Sequence, residues 1–401
     1  MFWPTRIASL LIAVGGCFLF ELLCQKVLGS YEQRLVTLAG LYVTLAVSLN
    51  LINGITGQFS IGHAAFYQVG AYTAGFLSIT YYQKAGNPGI PWLIAMALVG
   101  AAFAAIAGFI VGLPSLRLKG DYLAVVTLGF GEIIRIFVNN TPAVGGSYGL
   151  NVQPKFQSIG FVWLLAVVCV AVCRNLLKTA HGLPFLAVRE DEIASSAMGV
   201  DVTKVKVFAF LIGSAFAGAA GALLAHFEGF ISPATFAMDV SFIILTMVVL
   251  GGTGSITGSV LSAIFLSYLP EYLRGLKDSS GAALNFSGPV VASTLIAVAV
   301  TMAVMKKIAD GHAEKRQRAL QYIGALGGGA VIAVVLSIPL GQIPALAEKK
   351  ATGDQLRMVI FAVALIVLML LRPQGLFAHH EFSWAWLRKV LGREEKVAVQ
   401  A

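Results

Sequence analysis

The chain has 401 residues, of which 58% are hydrophobic and 12% are charged, and its mean hydropathy is +0.83. A soluble domain needs far more polar surface, so this composition excludes one and predicts a protein embedded in lipid. The net charge of +9 fits lysines and arginines in cytoplasmic loops better than a nucleic-acid interface, because basic residues concentrate on that side of a membrane.

The first apolar run, 7–23, follows Arg6 and lacks a small-x-small cleavage site, which favours a first membrane span over a cleaved signal peptide. A bilayer core requires about 20 apolar residues in a helix. Further runs of suitable length lie at 35–52, 63–82, 91–112, 122–138, 158–177, 205–225, 241–270, 287–305, 319–339 and 357–371.

Charge sets the expected orientation of these runs. Basic residues cluster at 174–206, 306–318 and 372–396, and the positive-inside tendency places all three clusters in the cytoplasm. This is consistent only if 241–270 enters the membrane from outside and returns there as two half-helices. We therefore predict an all-α polytopic membrane protein with about ten transmembrane helices, one re-entrant broken helix and both termini in the cytoplasm.

Two breaks in the apolar pattern combine glycine with serine and threonine, one at 53–62 and one at 251–258. Non-helical backbone at membrane depth is tolerated only where it is buried in protein or lines a wet cavity. Paired broken helices are typical of substrate paths in transporters. The alternative is an ordinary short loop at 53–62 and a glycine-lined packing face at 251–258.

Charged residues are rare within the spans. Glu132 and Arg135 are three residues apart on one predicted helix, so they are expected to pair. The pair either pins helix packing near the outer end of its span or lines an outer vestibule and orients a zwitterion. The small-residue patterns at 108–112 and 214–218 predict close helix packing.

The sequence contains no phosphate-binding GxxxxGK[ST] loop, no HExxH and no GxSxG. We therefore predict no catalytic residue and no metal site, and the four cysteines are interpreted as core residues. If ATP powers transport, another chain must supply the nucleotide site.

The segment from His181 to Lys206 has a charged start at 189–192, an Ala/Ser/Met middle and a glycine at 199. This pattern predicts a short helix in a cytoplasmic loop, ended by the glycine. Such a helix either docks into a groove on a partner or is a solvated loop helix without one.

Residues 185–201, which read Phe-Leu-Ala-Val-Arg-Glu-Asp-Glu-Ile-Ala-Ser-Ser-Ala-Met-Gly-Val-Asp, resemble the permease of branched-chain amino acid ABC importers. Further similar segments lie at 57–66, 70–74, 127–135, 145–150, 206–221, 249–258 and 371–377. The resemblance covers the chain from about Leu35 to Arg274 and again from about Asp354 to Phe377. It implies an ABC importer permease fold with a transmembrane domain at 1–377 and a cytoplasmic tail at 378–401.

The resemblance implies a heteromeric importer in a bacterial inner membrane. Its other parts would be a second related permease, two ATP-binding cassette subunits that hold ATP and Mg²⁺, and a periplasmic binding protein, with no cofactor in this chain. The implied substrate-path candidates are Gly57, Gln58, Ser60, Gly62, His63, Gly251, Gly252 and Gly254, to which Glu132 and Arg135 are added. The implied ATPase-coupling loop contains Arg189, Glu190, Asp191, Glu192, Ala197 and Gly199.

One region departs from the family pattern. From about 275 to 350 the chain has two extra apolar runs joined by a basic loop, which we interpret as an inserted helical hairpin. The cargo also stays open, because urea-importer permeases share most of these segments and urea or a short amide is an alternative to hydrophobic amino acids. A secondary transporter driven by an ion gradient is a third hypothesis, with Glu132 and Arg135 as its only charged relay.

Overall fold

The computed structural model describes residues 3–86, 89–115 and 120–275, together with 285–287, 293, 300 and 350–352. These residues are almost entirely helical. The helices are α1 (Trp3–Val27), α2 (Ser30–Asn50), α3 (His63–Tyr81), α4 (Ile90–Ser115), α5 (Asp121–Asn139), α6 (Ile159–Lys178), α7 (Leu183–Glu190), α8 (Glu192–Ala197), α9 (Val202–Glu228), α10 (Met238–Gly251) and α11 (Ile256–Gly275).

Short elements connect the helices. A π-helical turn, Leu51–Ile55, continues α2, and 3-10 turns lie at Pro142–Val144, Gly146–Tyr148, Ala180–Gly182 and Pro233–Phe236. Two short antiparallel ladders pair β1 (Leu150–Asn151) with β2 (Phe230–Ile231) and β3 (Asn285–Ser287) with β4 (Lys350–Thr352). By its contacts the described chain divides after Ala263, and every residue of the site discussed below precedes that point.

In the described part of the chain, six helical segments are long and apolar enough to cross a membrane: Ser30–Ile55, Ile90–Leu113, Tyr122–Asn139, Ile159–Lys178, Val202–Glu228 and Pro233–Gly251. The runs predicted at 7–23 and 63–82 are also helical, as α1 and α3. The all-α polytopic prediction is confirmed to this extent. The runs at 287–305, 319–339 and 357–371 lie outside the described residues apart from isolated positions, so the ten spans and the inserted hairpin stay predictions.

Helices α3, α4 and α9 form a core in which glycines allow close contact. A Cβ at Gly218 of α9 would lie 2.5 Å from the carbonyl oxygen of Gly100 on α4 and would also overlap Ala104. A Cβ at Gly108 would overlap Ser214. The packing role predicted for the small-residue patterns at 108–112 and 214–218 is therefore confirmed for Gly108, Ser214 and Gly218.

Candidate functional site

The two breaks predicted from glycine content meet in space, and Asn50 joins them. Asn50 is the last residue of α2, and the second break separates α10 from α11 at residues 252–255. Its Oδ1 accepts a hydrogen bond from the backbone N–H of Gly254 at 2.8 Å, and its Nδ2 donates to the carbonyl of Ser255 at 3.1 Å. The Asn50 side chain thus binds one donor and one acceptor of the irregular backbone at the second break, about two hundred residues further along the chain.

Glycine is needed on both sides of this contact. A Cβ at Gly54 would lie 2.9 Å from the Cα of Gly254 and would overlap the Asn50 side chain. Gly254 has φ +94° and Gly252 has φ +112°, a region that favours glycine. The path candidates Gly252 and Gly254 therefore have a geometric reason to be glycine.

Helices α10 and α11 pack against each other beyond the second break. A Cβ at Gly251 would lie 2.6 Å from the backbone nitrogen of Ser259, and the Ser262 hydroxyl donates to the carbonyl of Met247. Since rising numbers in α11 meet falling numbers in α10, the chain reverses at 252–255. Two helices thus lie on either side of the glycine break, while the re-entry of 241–270 to the outer side of the membrane stays a prediction.

The first break runs through the interior of the helical bundle, unlike an ordinary surface loop. Gln58 and Ser60 are buried, with 3% and 0% of their surface exposed. The Asn53 side chain donates to the Ser60 carbonyl at 2.9 Å and accepts from the Ser60 N–H at 3.2 Å. Thr127 of α5 accepts from the Ile61 N–H at 3.1 Å. Side chains thus replace the backbone partners that a helix would supply.

Several buried polar atoms at the first break, along α3 and at the start of α10 have no hydrogen-bond partner among the described residues. They are both polar atoms of Gln58 and of Gln68, the Ser60 hydroxyl, Nδ1 of His63, the Tyr72 hydroxyl and one carboxylate oxygen of Asp239. The other ring nitrogen of His63 lies 2.8 Å from the Ser48 hydroxyl. An unpaired buried polar group is unfavourable by about 1–3 kcal/mol, so these groups are suited to bind water or a polar solute.

Glu132 and Arg135 form the predicted pair on α5. The Arg135 guanidinium donates from Nε at 2.9 Å and from Nη2 at 2.7 Å to one carboxylate oxygen of Glu132. About a third of the arginine side chain and a quarter of the glutamate are exposed, at 33% and 25%. Among the described residues, no hydrogen bond or ion pair joins Glu132 or Arg135 to either break, although a Cβ at Gly131, next to Glu132, would lie 3.9 Å from the Cα of Gly62.

The predicted coupling segment is two helices and not one. Arg189 and Glu190 end α7, and Asp191 adopts an extended conformation with φ −157°. Its carboxylate then accepts from the N–H groups of Ile193 at 2.8 Å and Ala194 at 3.0 Å, which caps α8. The single helix expected over 189–199 is therefore wrong at its start. Its predicted end is right, since α8 ends at Ala197 and Gly199 has φ +86°.

A buried lysine fixes α8 against α9. Lys206 is 5% exposed, and its ammonium group forms an ion pair with Glu192. At the start of α9, the backbone N–H and the side chain of Lys204 lower the pKa of Asp201, which caps that helix. By contrast Glu190, Ile193 and Met198 are exposed. The segment therefore has one face bound to the bundle and one face open.

Sequence reasoning missed Asn50 and Lys206. Asn50 stands at the end of an apolar run, where a polar residue looks like an ordinary helix end. Lys206 counts as one of several loop cations until its burial is known. In the residues that the structure describes, no three His, Cys, Asp or Glu side chains are grouped to hold a metal ion.

Comparison with known families shows to which family the chain belongs. The family described as the permease component of a branched-chain amino acid transport system matches residues 33–307, more than half of the chain. The chain belongs to this family. The matched range contains both breaks, Asn50, and the α7–α8 segment.

Individual relatives of this permease support the assignment. The high-affinity branched-chain amino acid transport system permease protein LivM of Salmonella typhimurium is 36% identical over 308 residues, 68% of this chain and 69% of the relative. LivM of Escherichia coli K12 is 36% identical over 281 residues, 61% of this chain and 64% of the relative. LivH of Salmonella typhimurium is 24% identical over 251 residues, 58% of this chain and 81% of the relative.

The permease thus spans about two thirds of the length of these LivM proteins. No solved structure matches it. Family membership and the six apolar helices make it a multi-pass membrane protein, and its relatives are permease subunits of transport systems. The resemblance stated from the sequence is confirmed.

Proposed function

We propose that this permease is the membrane subunit of an ATP-driven ABC importer that moves leucine, isoleucine, valine or related hydrophobic amino acids across a bacterial inner membrane. The observation that carries the proposal is the family match over residues 33–307. The named relatives are permeases of branched-chain amino acid systems, which favours that cargo over urea or a short amide.

The partners follow from the same argument. The chain resembles both LivM and LivH, which supports a second related permease beside it. Two ATP-binding cassette subunits would hold ATP and Mg²⁺, and a periplasmic binding protein would deliver the amino acid. Both termini and the α7–α8 segment would then lie in the cytoplasm, in accord with the basic clusters.

The exposed face of α7–α8 is the proposed contact with the ATPase. Ile193 and Met198 have 74% and 85% of their surface exposed, and the Glu190 side chain is 80% exposed. Apolar side chains this exposed outside the membrane spans are suited to a groove on a partner. The opposite face of the segment contacts the bundle through Lys206.

The polar interior around the first break is the proposed path lining. Gln58, Ser60 and His63 offer hydrogen-bonding atoms without partners among the described residues. A zwitterion needs such groups, while its apolar side chain needs apolar walls. Glu132 and Arg135 already satisfy each other, so we assign them to packing or the outer vestibule ahead of any ion relay.

The cargo proposal is tested by uptake into proteoliposomes that hold the complete complex and internal ATP. Labelled leucine should accumulate with ATP, and excess isoleucine or valine should compete while excess urea should not. Competition by urea and not by leucine analogues would instead assign the same machinery to urea or a short amide.

A further inference from the structure

Arg189 differs from the exposed residues of the coupling segment because it faces the two breaks. It lies in the last turn of α7, and only 21% of its side chain is exposed, against 80% for Glu190. A Cβ at Gly57 would lie 3.4 Å from both the Cα and the Cγ of Arg189. A Cβ at Gly254 would lie 2.6 Å from its Nη1. The side chain therefore extends from the first break to the second.

Two helices end close in sequence to the glycines that Arg189 borders. The π-helical turn that continues α2 ends at Ile55, and α10 ends at Gly251. The carbonyl oxygen of Gly54 and Nη1 of Arg189 border the same space at Gly254, because a Cβ there would lie 3.2 Å from the first atom and 2.6 Å from the second. Helix C-termini carry partial negative charge from unsatisfied carbonyls, so a cation near them is favourable.

Substitution by lysine would not reproduce this arrangement. A guanidinium presents five N–H donors in a planar fork and stays charged, so it can face carbonyls of two chain segments at once. Gly57 has φ +71° and Gly254 has φ +94°, and both lack the Cβ that would separate Arg189 from the backbone. The absence of side chains at Gly57 and Gly254 thus leaves room for the guanidinium of Arg189 between the two breaks.

We infer that Arg189 is a positioning residue that ties the coupling segment to both breaks, so that displacement of α7–α8 moves the two broken segments together. Its neighbour α8 is held to α9 by the Lys206–Glu192 pair, which gives the segment a second attachment. Arg189 therefore transmits the motion of the segment to the interior, while Ile193 and Met198 face outward. The inference rests on the proposed ATP-driven function and specifies how the coupling reaches the proposed path.

The first test compares Arg189→Gln with Arg189→Lys and with Lys204→Gln in the complete reconstituted complex. Lys204 is a matched control, because it is a cation near the same segment but is 85% exposed and pairs with Asp201 at 3.0 Å. Coupling between sites is typically 5–150-fold, so the leucine imported per ATP should fall about fivefold or more in Arg189→Gln. Arg189→Lys should recover part of the loss, and Lys204→Gln should match the unsubstituted complex. An unchanged ratio in Arg189→Gln, or an equal loss in Lys204→Gln, would overturn the inference.

The second test does not depend on the cargo. A cysteine is introduced as Ser60→Cys in a permease whose own four cysteines, all buried, are replaced by alanine, and this permease is assembled into the complete complex. The labelling rate of this cysteine by a membrane-permeant maleimide is measured with ADP and with ATP plus vanadate. Nucleotide should change the rate when Arg189 is present and should not change it in Arg189→Gln. An equal response with and without Arg189 would overturn the Arg189 inference alone, whereas no response in either would overturn it together with the proposed function.

Discussion

At the scale of single residues, the side-chain amide of Asn50 connects the two breaks of the candidate site. Asn50 binds the N–H of Gly254 and the carbonyl of Ser255, and the surrounding glycines bring the two backbones within its reach. The sequence predicted that the breaks would be special, because glycine, serine and threonine interrupt otherwise apolar runs. It could not predict Asn50, because the partners of a helix-end amide depend on which distant segment packs there.

Asn50→Leu keeps a similar volume but removes the acceptor of the part-buried Gly254 N–H, while the Ser255 carbonyl still accepts from the N–H and the hydroxyl of Ser259. We expect the free energy of unfolding to fall by about 1–3 kcal/mol, the usual penalty of a buried group without a hydrogen bond. Thermal unfolding of the purified permease in detergent measures the change.

Asn140→Leu is the control for Asn50→Leu. Asn140 follows the last residue of α5, is exposed, and among the described residues its side chain donates only to the Ile136 carbonyl of that helix, at 2.8 Å. Asn140→Leu should therefore change the unfolding temperature of the permease little. Equal shifts for the two variants would contradict the role assigned to Asn50.

At the scale of elements, hydropathy predicted the helices well and the coupling segment incompletely. The apolar runs from 35–52 to 205–225 match helices whose ends differ by only a few residues, since burial in lipid requires long uninterrupted apolar stretches. The split between α7 and α8 was missed because Asp191 stands in a charged run that resembles a helix start. Its carboxylate caps α8 and its extended backbone ends α7, which only the local geometry reveals.

Lys206→Met tests the attachment of α8 to α9. The change leaves Glu192 without its cation, so α8 should pack less firmly and the ATP-binding subunits should bind more weakly. The loss should be smaller than the roughly 3–5 kcal/mol seen when a fully buried pair is broken, because 35% of the Glu192 side chain is exposed. Binding of the purified ATP-binding subunits to the permease measures it.

The double variant Glu192→Gln/Lys206→Met separates charge from packing. Removing both charges should restore part of the binding lost in Lys206→Met, because no carboxylate then remains unpaired. If the loss of binding free energy in the double variant equals the sum of the losses in the two single variants, the pair itself does not hold α8.

At the scale of the whole molecule, the family explains why the parts occur together. The breaks, the polar interior and the coupling segment all lie in the range that matches branched-chain amino acid permeases. The sequence could name this family because motifs at helix breaks and in the coupling loop are local patterns. It could not show that the breaks touch each other and Arg189, because those contacts join segments at 50–57, 189 and 251–255.

The most direct test of an ATP-driven importer is labelled leucine uptake by the reconstituted complex, with and without this chain and with and without internal ATP. A protonophore is added in a parallel series. We expect uptake that requires both the chain and ATP and that persists with the protonophore. Uptake that ignores ATP and collapses with the protonophore would contradict this expectation and would make Glu132 and Arg135 the residues to study.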